Sequence, residues 1–267
     1  MKTILVLGSS GVVGQALCKT LKQRKYNVIE WDIKNSFTQD LTNPLNNNSL
    51  KRVIYKSDFV FFLAYDVGGA KYLTNIDIDF INRNIMIMMN TFNLLENKPF
   101  IFTSSSMYNM DNVYGILKYL GEKYTTTLGG LSVRLWNVYG YEKSCEKSHV
   151  IPDMIHSWRT KGHVELLTNG EEERQLLHVD DCVEAFVKLL LHYDDITKLN
   201  TTIDVSSFEW IKIKDVAKLI CDDVRVSDIK AISQDKQNIP RDTILKYWKP
   251  EIDLKTGIQM IIDEQFD

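Results

Sequence analysis

The feature that most constrains this chain is a join near its start. An aliphatic run, Ile4 to Leu7, passes directly into a loop in which Gly8, Gly11 and Gly14 are spaced G-x-x-G-x-x-G. Four aliphatic residues without polar alternation suit a strand covered on both faces, the condition of a parallel sheet. Behind the loop Val13, Ala16, Leu17 and Leu21 recur at helical spacing. A strand that turns tightly on glycines and opens a helix presents free amides and a positive helix end, which together suit an anionic group such as a pyrophosphate.

The same alternation continues along the chain. Asn27 to Trp31, Phe59 to Leu63, Phe100 to Thr103, Leu131 to Trp136 and Thr201 to Val205 read as further strands, with helices predicted over Asp79 to Glu96, Tyr114 to Thr127 and Asp180 to His192. Strands alternating with helices of this length imply right-handed crossovers. The expected fold is α/β, a Rossmann-type doubly wound parallel sheet with a small mixed C-terminal substrate-binding lobe. Residues 1–139 form the dinucleotide-binding core, to which 175–206 return. Residues 140–174 and 207–267, less regular and broken by Pro152, Pro240 and Pro250, form the lobe. Asn43 to Asn48 is polar and turn-prone, a surface loop.

Composition narrows the functional classes. With 267 residues, 44% of them hydrophobic and 25% charged, the chain can bury a full core. Its net charge of -3, in no long block of one sign, offers no attraction for a phosphodiester backbone, so nucleic acid is not an expected partner. Cys18, Cys145, Cys182 and Cys221 lie far apart, which argues against a disulfide framework and for a reducing compartment. No apolar run approaches membrane-spanning length, so a cytoplasmic protein without membrane contact is expected. His156, His163 and His192 lack companions at ligand spacing, and no metal site is expected.

Asp32 ends the second strand, where a carboxylate can accept hydrogen bonds from an adenosine ribose diol; this favours NAD, while neighbouring Lys34 leaves NADP open. Ser10, Val12 and Val13 complete the glycine turn, Leu63 and Ala64 at the end of the third strand are further cofactor-binding candidates, and Asp40 and Leu41 are candidates to flank the adenine.

Tyr114 and Lys118 stand four apart on a predicted helix, so both project from one face. A phenol ordinarily titrates near 10; an adjacent ammonium and an oxidised nicotinamide would stabilise its phenolate, letting Tyr114 exchange a proton with a sugar hydroxyl while hydride moves to or from the cofactor. Thr103, Ser104, Ser105 and Ser106 sit at the preceding strand end, where a hydroxyl can steady the reacting oxygen.

In this order the glycine loop, Leu63-Ala64, the Ser104 segment through Met107-Tyr108, Tyr114-Gly115 with Lys118, Asn137-Val138-Tyr139-Gly140 and His178-Val179-Asp180-Asp181 resemble the NAD-dependent epimerase/dehydratases, extended short-chain dehydrogenase/reductases that act on nucleotide-linked sugars. The resemblance extends to Trp248-Lys249-Pro250 and Gly257. It implies that Ser104, counted back from Tyr108, is the catalytic hydroxyl, that Ser105 and Ser106 face the substrate, and that Asn137 and Arg174 bind its diphosphate, for which a planar guanidinium is suited. It also implies a homodimer in which the Asp79 to Glu96 and Tyr114 to Thr127 helices form a four-helix bundle.

The dehydratases of this family resemble one another in an acidic residue just after the catalytic hydroxyl; here Ser105 and Ser106 stand there, which disfavours dehydration. Val67-Gly68-Gly69 and Ser148-His149-Val150-Ile151-Pro152 are similar to segments of the GDP-L-fucose synthase branch, in which the histidine is an acid/base partnered by a cysteine; here Ser106 takes the cysteine's place. The leading expectation is therefore an NAD-dependent nucleotide-sugar C4 epimerase using Ser104, Tyr114 and Lys118. A 4-keto-deoxysugar-nucleotide reductase that also uses His149 is the runner-up, and a catalytically silent NAD-binding subunit a third reading. Only Asn109 to Val113 separate Tyr108 from Tyr114, a short connection for this family.

Overall fold

The computed structural model describes residues 1–142, 147–230 and 238–264. Cys145, considered above, lies outside the described residues. Six parallel strands form the central sheet: β1 (Thr3–Leu7), β2 (Asn27–Trp31), β3 (Phe59–Phe62), β4 (Phe100–Ser105), β5 (Leu131–Leu135) and a sixth, Ile203–Val205. Their spatial order is β2-β1-β3-β4-β5 and then Ile203–Val205. All five expected strands beyond β1 are present.

Strand alternation explains how the sheet is covered. In β1, Ile4 and Val6 join one hydrophobic cluster with Leu17 and Leu21 of α1 (Val12–Gln23). Leu5 and Leu7 join another with Leu50 and Ile54 of α2 (Asn47–Lys56). The second cluster continues beyond α3 (Ala70–Leu73) to α4 (Ile78–Phe92) and α5 (Val113–Thr127), contributing Met88, Phe92 and Leu117. Past α6 (Val150–Lys161), the first face is completed by α7 (Val179–Leu191), whose Cys182, Val183 and Phe186 lie in the first cluster. Helix α2 begins inside the stretch expected to be a surface loop: Asn43 caps a 3-10 turn at Pro44–Asn46 and the helix follows at Asn47.

A third cluster belongs to the lobe, where α6 packs with the helices Ile213–Ile220 and Leu254–Glu264 around Ile151, Ile155, Val216 and Ile261. The 3-10 segment Asp242–Lys246 departs from the expected division, because Ile244 and Trp248 pack into the first sheet cluster instead. His178-Val179-Asp180-Asp181 has a structural explanation. The His178 ring caps α7 by accepting from the Asp180 amide, and the Asp181 carboxylate accepts from the Glu251 and Ile252 amides, clasping the C-terminal segment to α7. Gly257 leaves room for the Tyr139 hydroxyl, which a Cβ there would approach to 2.2 Å.

Because the chain passes from β1 outward to β2 and then returns to β3 on the other side, the strand order reverses between β1 and β3. A crevice opens at such a reversal beyond the carboxyl ends of the strands, the usual ligand position in sheets of this kind.

Candidate active site

The glycine turn lies at that reversal and is shaped by backbone proximity. Gly8 adopts φ +87°, and a Cβ there would come within 2.6 Å of the Ala64 amide nitrogen. A Cβ on Gly14 would sit 2.1 Å from the Gly8 carbonyl oxygen. Protein packing thus requires both glycines and brings Leu63 and Ala64 against the turn. Gly11 differs: its Cβ would meet only the Gly8 carbonyl, at an ordinary 3.6 Å. It caps the N-terminus of α1 in extended conformation without a side-chain cap, so the first amides of the helix, from Val12 on, and the helix dipole are left to a ligand. The residues present fit a pyrophosphate.

Asp32 closes the turn from the β2 side. Its Oδ2 accepts from the Ser10 amide at 3.0 Å and its Oδ1 from the Lys34 amide at 2.9 Å. Ser10 Oγ donates to Asn35. Asp40 is engaged locally, accepting from the Thr42 amide and hydroxyl, and the buried Leu41 has its carbonyl bonded by Asn90. Val12 and Val13 open α1; Val13 packs on the sheet cluster, and a Cβ on Gly140 would come within 3.0 Å of Val12.

Tyr114 is placed by the start of α5. Asn112 caps the helix, its Oδ1 accepting from the Gly115 amide at 2.8 Å. The missing side chain of Gly115 admits the Met107 carbonyl, which a Cβ would meet at 2.1 Å. The short connection is therefore folded tightly onto the helix. One turn on, Lys118 is buried and donates to the Thr103 carbonyl at 2.8 Å. Its Nζ lies 3.6 Å from the centroid of the Tyr65 ring and 5.8 Å from that of Tyr114.

The strand-end hydroxyls divide, and here the count from Tyr108 is corrected. Ser104 lies one residue deeper, beneath α5, where its hydroxyl donates to Glu122 at 2.6 Å. Glu122 is in turn held by a two-pronged buried pair with Arg134, both contacts at 2.7 Å, and the Arg134 guanidinium stacks 3.2 Å from the Tyr108 ring centroid. Ser105, at the strand tip, is the hydroxyl that meets the Tyr114 side chain. Ser106 bonds the Leu135 carbonyl through its amide, and its own carbonyl accepts from Asn238 of the lobe.

The electrostatics of Tyr114 and Lys118 follow from burial. Burial pushes the Tyr114 phenol up to about 12, against a downward pull from Ser105. Burial draws Lys118 down to about 7, against an upward pull from Glu122. In the protein by itself the tyrosine is thus held protonated rather than made acidic, because low-dielectric surroundings disfavour both charges.

On the lobe side His149 forms the N-terminal boundary of α6, and Glu142 grips it twice. Nδ1 lies 2.6 Å from Glu142 Oε1, and the His149 amide donates to Oε2 at 3.2 Å. Gly69 packs against this loop: its amide donates to the Lys147 carbonyl, and a Cβ would fall 2.0 Å from the Ser148 carbonyl oxygen. Asp66 binds Lys147, Arg83 and the Tyr72 hydroxyl, tying the same two segments together. Asn137 adopts φ +39° and donates to the Gln175 carbonyl, next to Arg174. Arg174 is half-buried, and burial lowers its pKa; its Nη1 donates to the Glu173 carbonyl.

The structure therefore gathers Gly8, Ser10, Gly11, Gly14, Asp32, Leu63 and Ala64 at one end of the crevice and Ser105, Tyr114 and Lys118 at the other, with Ser104 turned away. Sequence reasoning missed Glu142 and Tyr65. An acidic residue seven positions before His149 was the sole signal for the first.

The sequence profile of the NAD dependent epimerase/dehydratase family matches residues 4–203. The chain belongs to this family. It is accordingly an NAD(P)-dependent enzyme of the extended short-chain dehydrogenase/reductase type. A GDP-L-fucose synthase of Dictyostelium discoideum is 26% identical over 254 residues, covering 82% of this chain and 78% of its own. A putative UDP-glucose 4-epimerase of Methanocaldococcus jannaschii is 25% identical over 303 residues, 97% of each. A GDP-D-glycero-L-gluco-heptose synthase structure from Campylobacter jejuni, determined in the presence of NADPH, superposes with a TM-score of 0.82 at 20% identity, covering 100% of this chain and 98% of that one. Among the described residues no helix is long and apolar enough to cross a membrane.

Proposed function

We propose that this enzyme is an NAD(P)H-dependent reductase of a 4-keto nucleotide sugar, with a second acid/base group for proton exchange beside the ketone. The observation that carries the reading is the Glu142–His149 pair, packed on the Gly69 loop and separate from the Tyr114 set. A redox-neutral C4 epimerase, the leading expectation from sequence, needs the tyrosine and lysine but gives a carboxylate-held histidine nothing to do. The names of the Dictyostelium and Campylobacter relatives favour the same side.

When bound, the nicotinamide supplies hydride transfer. This chain's residues handle the proton and the charge. Tyr114, held protonated by burial, donates to the carbonyl oxygen as it gains negative charge, and Ser105 steadies that oxygen. Lys118, on the same helix face, balances the phenolate left behind. His149, with one nitrogen fixed on Glu142, offers the other to a carbon acid next to the ketone. Asn137 and Arg174 hold the diphosphate. Asp32 favours NADH; Lys34 leaves NADPH open.

The C4 epimerase remains the second reading, favoured by the serine at position 106 where a reductase-epimerase of this kind would use a thiol, and by the name of the Methanocaldococcus relative. Purified protein incubated with GDP-, UDP-, dTDP- and CDP-linked sugars and their 4-keto forms, with and without reduced cofactor, separates the two. Stoichiometric oxidation of NAD(P)H by a 4-keto substrate is the expected result; cofactor-neutral interconversion of the parent sugars would replace it with the epimerase.

The same reading includes a homodimer. Helix α4 exposes Ile78, Met86 and Met89, and α5 exposes Ile116, Tyr119 and Leu120, adjacent apolar faces that a second copy would cover as a four-helix bundle. Met86→Glu with Leu120→Glu should convert a dimer to a monomer in analytical ultracentrifugation.

A further inference from the structure

We propose that Tyr65 is an access residue of the cofactor site, whose ring covers Lys118 in the free protein and must swing aside before the nicotinamide ribose can reach it. The inference rests on the reading of the glycine turn as a dinucleotide site and extends it to this chain's own side chain.

Tyr65 follows Ala64, whose backbone abuts Gly8 at the turn, and its ring meets Tyr114 edge-on at 6.0 Å between centroids. It therefore stands between the pyrophosphate end of the crevice and the proton-transfer end, on the path any dinucleotide spanning the two must take. The ring does not merely line that path. It lies over the Lys118 ammonium at 3.6 Å, a cation–π contact, while Nζ spends a hydrogen on the Thr103 carbonyl. Lys118 as a whole is 4% exposed, so with these two neighbours little of it is open to a ribose diol.

The seat is also an uncomfortable one for the tyrosine. Its hydroxyl is buried and has no hydrogen-bond partner among the described residues. A buried phenol left unpaired is destabilised relative to one that reaches water or a ligand, so the missing hydrogen bond offsets part of what the ring gains over Lys118. A site that is competent only when the ring is out binds its ligand more weakly by the fraction of time the ring is in, and binding is limited by the opening rate at high ligand concentration.

The test is stopped-flow binding of NADH and of NADPH to the full-length protein, without sugar nucleotide, alongside equilibrium titration by nicotinamide fluorescence. For the natural protein the observed association rate should level off as cofactor concentration rises. Tyr65→Ala should abolish the plateau and tighten equilibrium binding by about threefold to tenfold. Tyr65→Phe keeps the obstructing ring and should keep the plateau. Binding seen only in Tyr65→Ala supports the proposal in its strongest form. An association rate that rises linearly in the natural protein, or unaltered or weaker binding in Tyr65→Ala, overturns it, and the first of these results stands even if a variant fails to fold. Absence of binding to all three proteins overturns the dinucleotide reading and this inference with it.

Discussion

Around the glycine turn, backbone atoms approach one another so closely that Gly8 and Gly14 leave no room for a methyl group; around His149 and the strand end at Ser106, side chains from other segments do the holding. The first region is written in residue types at fixed spacing. The second depends on partners such as Glu142, Asp66 and Asn238, any of which could be many other residues without altering a local pattern. The contrast teaches which end of the crevice residue types alone can announce: backbone contacts tolerate few substitutions, whereas a side-chain brace can be rebuilt elsewhere.

The contrast can be broken most severely at its boundary. Glu122→Ala would strand the buried Arg134 guanidinium and release Ser104, costing about 3–5 kcal/mol in chemical denaturation. A smaller loss would mean that side-chain braces matter less than argued. Gly14→Ala, which forces a Cβ against the Gly8 carbonyl, should cost about 1–3 kcal/mol in the same assay. Gly11→Ala sharpens the point: stability should stay within about 0.5 kcal/mol while dinucleotide affinity falls, since the space it fills belongs to the ligand. At the lobe end Glu142→Gln should lower turnover by roughly tenfold or more, with cofactor affinity unchanged in a fluorescence titration.

The contrast also has a pH dependence. Lys118 binds its proton less tightly in the folded protein, near 7, than in the unfolded chain, near 10.5. Between those values the unfolded chain carries more protons, so this group's contribution is full above about 10.5 and is lost as pH falls to about 7. Lys118→Met should flatten that interval in a stability-versus-pH comparison with the natural protein.

Much of the fold was legible because both-face burial leaves an unbroken aliphatic or aromatic run, as in Ile4 to Leu7 and Phe59 to Phe62. Helix α2 was not, since its first residues are asparagines and only Leu50 and Ile54 of its ten residues are buried. Tyr114 and Lys118 could be paired from their spacing alone. The serine could not: in a strand each step of one residue turns the side chain to the other face, so a count from Tyr108 landed on Ser104, under α5, instead of Ser105. The direction of the two pKa shifts was also hidden, because burial outweighs the attraction that adjacency on a helix suggests. Tyr65 gave no signal, its contact being with a lysine 53 positions further along.

The central claim is that the Tyr114 phenol supplies the proton during hydride transfer. Single-turnover measurement of Tyr114→Phe, preloaded with reduced cofactor and mixed with the 4-keto nucleotide sugar that the natural enzyme reduces, tests it directly. The account predicts natural cofactor affinity with a hydride-transfer rate lowered by about a hundredfold to ten-thousandfold. A rate within a few fold of the natural enzyme's would contradict it.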